Sequence, residues 1–197
     1  KVGIIGVGSC AKSLVEGVQY YNENPEDKVG LMYPDIGGYG TKDIEFVMGF
    51  DIDVRKVNKP LAEALRAAPN CSMNHVNKIH TNGDSNSSCV KSKAKVYSAP
   101  ELDGIAPHMH DYPDEVTFVN GAIPAESFDR TVELIKYHDV DVLINYLPVG
   151  SEDATKYWID VAIKAGVNFV NCIPTLISTD DAMETEQRFI DAGLTIV

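Results

Sequence analysis

The chain has 197 residues, 44% hydrophobic and 23% charged, a globular balance that excludes wholesale disorder. Its 17 Lys and Arg against 29 Asp and Glu give a formal net charge of −12, which argues against phosphate backbones and anionic lipid as partners. No apolar run approaches the roughly 20 residues of a membrane span, so neither nucleic acid nor membrane is an expected partner.

The apolar run 2–5 ends in glycines and predicts a buried parallel strand. Ala11, Leu14, Val15 and Val18 recur at helical spacing, predicting a helix over 9–21. Residues 22–43 are polar and rich in glycine and read as an inserted loop, followed by a strand over 44–50 and a weaker helix over 60–68. The stretch 69–95 is poor in apolar residues and too long for an ordinary connection, a second insertion. An irregular region rich in Pro, His and Asp follows Val96 and Tyr97, then a short strand over 116–119. Pro124 sits near the start of a helix carrying Phe128, Val132 and Ile135 on one face, with His138 in its last turn. A strand over 140–145 leads to Ser151 as N-cap, with Glu152 and Asp153 in the first turn. Ala154, Trp158, Val161, Ala162 and Ala165 form that helix's apolar face, and Gly166 ends it. A strand over 167–170, a helix over 180–192 and a strand over 194–197 complete the chain. Strands alternating with helices predict an α/β protein with a doubly wound parallel sheet, one Rossmann-type domain over 1–197. The N-terminus enters a strand pattern at once, leaving no room for a secretory signal. Cys10, Cys71, Cys89 and Cys172 lie far apart, which suits a reducing, cytoplasmic location.

The segment Gly6-Val7-Gly8-Ser9-Cys10-Ala11 follows a predicted strand and opens a predicted helix. In that context Gly6 permits a tight turn, Gly8 lets backbone approach a pyrophosphate, and Ala11 lets helix pack on strand. The helix's free N–H groups then face the diphosphate. Asp51, at the predicted end of the second strand, is the candidate for the adenosine ribose. It lies 45 positions after Gly6 (51 minus 6) rather than the roughly 20 usual for such a unit, and the 22–43 insertion accounts for the excess. A carboxylate there accepts from ribose hydroxyls and repels a 2′-phosphate, favouring NAD over NADP. Arg55 and Lys56 are cations close enough in sequence to accommodate that phosphate, and Asp53 shares either job with Asp51. Asn145, Tyr146, Leu147, Pro148 and Ser151 run from a strand's carboxyl end into a helix start, where open α/β sheets bind ligands; Asn171 and Pro174 occupy the equivalent place one strand later. Cys71, His75, His80 and Cys89 lack the compact spacing of a structural zinc site, so no metal is expected.

The segments GVGSCAKSLVEGVQYY, GFDIDVRKV, ELDGI, DVLINYLPVGSE and AGVNFVNCIPTLIS occur in the order and character of myo-inositol-1-phosphate synthases, and the chain resembles the shorter bacterial and archaeal branch of that family. Segment 69–95 matches poorly, and Tyr97-Ser98-Ala99-Pro100 departs from the family's usual Arg-Gly-Pro approach to LDGI. The resemblance implies conversion of glucose 6-phosphate to inositol phosphate with tightly held NAD: oxidation at C5, aldol closure of an enolate, then reduction of the ketone by the same cofactor. The reaction is redox-neutral, an isomerase (intramolecular lyase) chemistry. It also implies that Gly6, Gly8, Ser9 and Cys10 line the diphosphate, that Asp51 takes the ribose, that Asp103 of ELDGI contacts the cofactor, and that residues 145–151 run towards the nicotinamide. A homo-oligomer, a tetramer in the family, is implied as well. Family members continue past the strand at Val197 into a lysine-bearing catalytic and oligomerisation region, so no catalytic residue is expected within the chain. Two rival readings share the glycine fingerprint: an ordinary NAD(P)-dependent dehydrogenase, and a non-catalytic NAD-binding regulatory module.

Overall fold

A computed structural model describes residues 1–74, 90, 92–121, 123–175 and 180–197, without the side chains of 180–182. Five parallel strands form one sheet: β1 (Val2–Ile5), β2 (Phe46–Asp51), β3 (Lys95–Ser98), β4 (Val142–Asn145) and β5 (Asn168–Asn171), in the spatial order β3-β2-β1-β4-β5. The chain starts at β1, winds to β3 at one edge, then crosses back to lay β4 on the other side of β1. That reversal of winding creates a crevice outside the carboxyl ends of β1 and β4, as in doubly wound dinucleotide-binding sheets. Residues 194–197 lie parallel to β5, bridging at Phe169 and Ile196, in a sixth-strand position.

The strand pleat sends alternate residues to opposite faces. Ile4 and Val96 pack with Ala11 and Val15 of α1 (Ser9–Glu23) and with Leu61 and Ala64 of α2 (Leu61–Ala64). Ile5, Met48 and Phe50 face the other way, against Val132 and Ile135 of α3 (Phe128–Tyr137), Trp158 and Val161 of α4 (Glu152–Ala165) and Phe189 of α5 (Asp180–Asp191). Phe50 and Trp158 meet with ring centroids 4.7 Å apart at the centre of that layer. The predicted face of α4 is therefore its buried face, and Gly166 ends the helix in the left-handed conformation (φ 80°), donating back to the carbonyls of Ala162 and Ile163.

Several expectations are corrected. Residues 116–119 form no strand: the carbonyls of Asp114 and Thr117 accept from the Arg55 guanidinium at 2.6 and 2.7 Å instead of from a neighbouring strand. Val54 N–H to the Val119 carbonyl, the Val119 N–H to the Asp53 carboxylate and an isolated bridge between Asp53 and Asn120 tie that segment to the end of β2. The helix predicted over 60–68 is α-helical only across Leu61–Ala64. Pro124 does not open α3, whose N-cap is Ser127, its hydroxyl accepting from the Arg130 N–H. No helix of the described residues is long and apolar enough to cross a membrane.

Candidate functional site: a cleft at the carboxyl ends of the sheet

A cleft of about 320 Å³ opens at the winding reversal, walled by the glycine turn after β1, the ends of β2 and β3, and the loops after β4 and β5. Of the predicted site residues, Gly6, Gly8, Cys10, Asp51, Tyr146, Leu147, Pro148 and Pro174 line it. Ile52, Pro100 and Phe118 add apolar wall that the sequence reading did not assign to the site. A larger open groove, about 680 Å³, runs along α1 beside Val15, Asn22 and Phe46, away from the strand ends and the glycine turn.

The two glycines of the turn serve different purposes. Gly6 has φ +83°, and a Cβ there would stand 2.7 Å from the Tyr146 carbonyl oxygen, so the turn and the β4 loop approach too closely for any side chain. Gly8 has a negative φ, and a Cβ on it would meet no protein atom within 4 Å. Its missing side chain leaves open space at the start of α1. No side chain caps that helix start and no acid lies in its first turn, so its N–H groups and positive dipole end face the cleft.

Asp51 ends β2 nearly buried, at 5% exposure. One carboxylate oxygen accepts the Val7 N–H at 2.8 Å and the other the Asp53 N–H at 2.9 Å, which fixes the acid against the glycine turn. Lys56 is fully buried with its Nζ 3.6 Å from Asp51 and 3.0 Å from the Asn70 side-chain oxygen. Asn70 in turn donates to the carbonyls of Val7 and Leu65. Both cations that sequence allowed beside a 2′-phosphate are thus held by partners within the protein. Lys56 sits inside this network, and Arg55 clamps Asp53 and the carbonyls of Asp114 and Thr117. Burial alone would raise the Asp53 pKa, but hydrogen bonds from the Arg55 side chain and from the Arg55 and Val119 N–H groups hold it below the ordinary carboxylate range. Asp53 is fully buried and does not line the cleft, so the sharing of roles between it and Asp51 is corrected.

The wall from β4 and β5 is braced from behind. The buried Asn145 amide donates to Asn171 at 3.0 Å and to the Thr155 hydroxyl at 3.2 Å, while its oxygen accepts the Leu147 N–H. Asn171 donates to the Ile173 carbonyl, shaping the loop that carries Pro174. Ser151 stands at the N-cap position of α4 but its hydroxyl donates to the Pro148 carbonyl at 2.7 Å and makes no cap bond. The cap comes from Asp103, whose two oxygens accept the N–H groups of Asp153 and Ala154 at 2.8 Å each. Asn145, Ser151, Asn171 and Asp103 therefore brace the cleft without lining it. No local signal marks Asp103 as the cap, since 50 residues separate it from Asp153.

Ser9 also turns away from direct lining: its hydroxyl accepts the Cys71 N–H at 3.1 Å, drawing residues 70–72 over the start of α1. Lys12 reinforces this, donating to the Ser72 carbonyl. Tyr146 is half-buried between Cys10 and Cys172; burial first, then these neighbours, push its pKa up to about 12. Burial likewise raises the Cys172 thiol. Among the described residues no cluster of His, Cys, Asp or Glu is arranged to hold a metal; His75, His80 and Cys89 lie outside those residues.

No protein-family model matches the sequence. Curated proteins named inositol-3-phosphate synthase do: that of Corynebacterium glutamicum is 41% identical over 199 aligned positions, and those of Mycolicibacterium smegmatis and Mycobacterium tuberculosis are 39% identical. Each alignment covers the whole of this chain and 48–49% of the relative, so the chain spans about half the length of the curated relatives it matches. Among solved structures, one titled Ari2 matches with a TM-score of 0.74 at 26% identity, covering all of this chain and 51% of that one. A myo-inositol-1-phosphate synthase-related protein from Thermotoga maritima matches with a TM-score of 0.72 at 18% identity, over 99% of this chain and 53% of that one, a likeness of fold. The chain is homologous along its whole length to about half of an inositol-3-phosphate synthase.

Proposed function

We propose that this chain is the NAD-binding portion of a myo-inositol-phosphate synthase, an isomerase that cyclises glucose 6-phosphate without net redox change. The observation that carries the reading is the pairing at the cleft of an uncapped helix start, open above Gly8, with the Asp51 carboxylate at the end of β2. That arrangement fits a dinucleotide. The space above Gly8 and the N–H groups of α1 take the diphosphate, and Asp51 takes the adenosine ribose. Ile52, Pro100 and Phe118 supply apolar surface on the Asp51 side of the cleft, and Tyr146, Leu147 and Pro148 form the opposite wall. NAD, when bound, supplies a reversible hydride acceptor.

The chain's own residues bind, orient and exclude. Asp51 brings its carboxylate to the ribose site with Lys56 paired to that carboxylate from behind and Arg55 held on Asp53, so neither cation is free for a 2′-phosphate. Tyr146 stays a neutral phenol at physiological pH and keeps its hydroxyl proton as a donor. No Lys or Arg is among the described residues lining the cleft. Stabilising an enolate and a sugar phosphate requires cationic groups, so on this reading they come from residues other than the described lining of this cleft. The protein acts as a cytoplasmic homo-oligomer.

The test follows inositol phosphate by NMR and released NADH by absorbance, using the full native polypeptide with glucose 6-phosphate. Product without net NADH supports the synthase, while stoichiometric NADH identifies an ordinary dehydrogenase. Binding without turnover by the full polypeptide identifies a regulatory module. The 197-residue chain alone is expected to bind NAD and not to turn over.

A further inference from the structure

Between Tyr112 and Val119 the chain forms neither helix nor strand, yet both neighbours of Phe118 are pinned. Thr117 is buried, its carbonyl accepting from Arg55 Nη2 at 2.7 Å and its hydroxyl donating to the Met109 carbonyl at 3.1 Å. On the other side the Val119 N–H donates to an Asp53 oxygen at 3.2 Å, and the Val119 carbonyl accepts the Val54 N–H at 3.0 Å. Arg55 also reaches the Asp114 carbonyl at 2.6 Å through Nη1, while its Nε donates to Asp53 at 2.8 Å. Gly121 closes the segment onto the same turn, since a Cβ there would stand 2.3 Å from Val54 Cγ1. The ring held between these two grips is half-buried and lines the cleft together with Ile52.

We propose that the Arg55–Asp53 pair is a positioning device that sets the Phe118 ring as a stacking surface for the adenine base of the dinucleotide. This rests on the cofactor reading above and deepens it by naming what recognises the base. Place is the first argument. Ile52 directly follows Asp51, the proposed ribose acid, and shares that side of the cleft with Ala99, Pro100 and Phe118. An apolar wall that includes an aromatic ring offers a π-face to a flat heteroaromatic base. Rigidity is the second. A ring carried on a loop without ladder bonds would lose freedom on stacking, and anchoring at Thr117 and Val119 removes that cost in advance. The shape of the cation is the third. One planar guanidinium uses Nε, Nη1 and Nη2 to hold an acid and two carbonyls together, which the single ammonium of a lysine does not reproduce. The arginine that sequence placed near a 2′-phosphate therefore works on the base, through Phe118.

Phe118→Trp puts an indole at the cleft wall, and the chain's one native tryptophan, Trp158, is buried in the core. The probe is ADP, which carries the adenosine diphosphate half of the cofactor and no nicotinamide. ADP should quench the introduced indole, and adding Arg55→Met should abolish that change or demand at least about tenfold more ADP. Calorimetry of ADP with the parent, Phe118→Ala, Arg55→Met and the double variant gives a second reading. Each single variant should weaken ADP about tenfold, and the double variant no further than Phe118→Ala, because Arg55 acts through the ring. Phe118→Tyr keeps the ring and should bind like the parent. Arg55→Lys, which keeps the charge and loses the fork, replaces Arg55→Met in the cycle if far-UV circular dichroism shows that variant unfolded. ADP binding that leaves the indole emission unchanged overturns the inference, as do losses that add in the double variant. A parent that binds neither ADP nor NAD overturns the cofactor reading itself, whereas ADP affinity indifferent to Phe118 and Arg55 overturns this inference alone.

Discussion

The Asp51 carboxylate accepts the Val7 N–H at 2.8 Å across 44 residues of sequence. One bond thereby fixes the acid at the end of β2 against the glycine turn after β1, so the proposed ribose and diphosphate subsites are positioned together. Lys56 and Asn70 complete the arrangement from behind, and the buried ammonium balances the acid in a region shielded from water.

Asp51→Asn keeps the shape of the side chain and removes its charge. Losing charged hydrogen bonds to the ribose is expected to weaken NAD binding about 10- to 100-fold. The parent should bind NAD more tightly than NADP, a preference the variant loses. Leaving Lys56 buried without its counter-charge should also cost about 3 kcal/mol of stability. Calorimetric titration with both cofactors, paired with urea unfolding, measures the two effects. An unchanged NAD affinity removes Asp51 from the ribose.

The two glycines of the turn separate binding from folding. Gly8→Val projects into open space and should abolish NAD binding while thermal unfolding stays near that of the parent. Gly6→Ala should do the opposite first. Its Cβ meets the Tyr146 carbonyl at 2.7 Å from a left-handed backbone, a loss of about 2 kcal/mol or more. If Gly8→Val unfolds the chain, the open space above it is not a ligand site.

Asp103→Ala removes a helix cap that reaches α4 from 50 residues away. A lost cap costs about 1–2 kcal/mol, which in a chain of this size lowers the midpoint of thermal unfolding by roughly 2–8 °C. Calorimetry checks this, and an unchanged midpoint would show that Asp103 does not carry the start of α4.

Asp53 predicts an acid limb in stability. Its folded pKa lies below the unfolded value near 3.9, so its contribution is complete above that value and is lost as pH falls through the folded one. At pH 7 Asp53→Asn should be less stable than the parent by about 1–3 kcal/mol, and the gap should narrow as pH falls below the unfolded value towards the lowered folded one. Urea unfolding between pH 7 and pH 2.5 measures it, and a gap that stays constant across that range contradicts the assignment.

What the sequence determined by itself is local. The run Val2–Ile5, its glycines and the spacing of Ala11, Val15 and Val18 predict a strand, a turn and a helix because each depends on neighbours within a few residues. The face of α4 and its end at Gly166 were legible for the same reason. Asp51 was legible as the terminal acid of β2, since the pattern of that strand marks its own end. Only the tertiary structure decided what the polar groups between those elements do. Arg55 and Lys56 read in sequence as cations free to meet a phosphate, and the fold commits one to Asp53 and the 114–117 loop and the other to Asp51 and Asn70. Ser151 read as a cap, but its hydroxyl turns to the Pro148 carbonyl and Asp103, brought from 50 residues away by the fold, caps α4. Helix and strand periods are written in nearest neighbours, whereas a buried donor takes whichever acceptor the packed chain brings within 3 Å, and sequence spacing does not encode that distance.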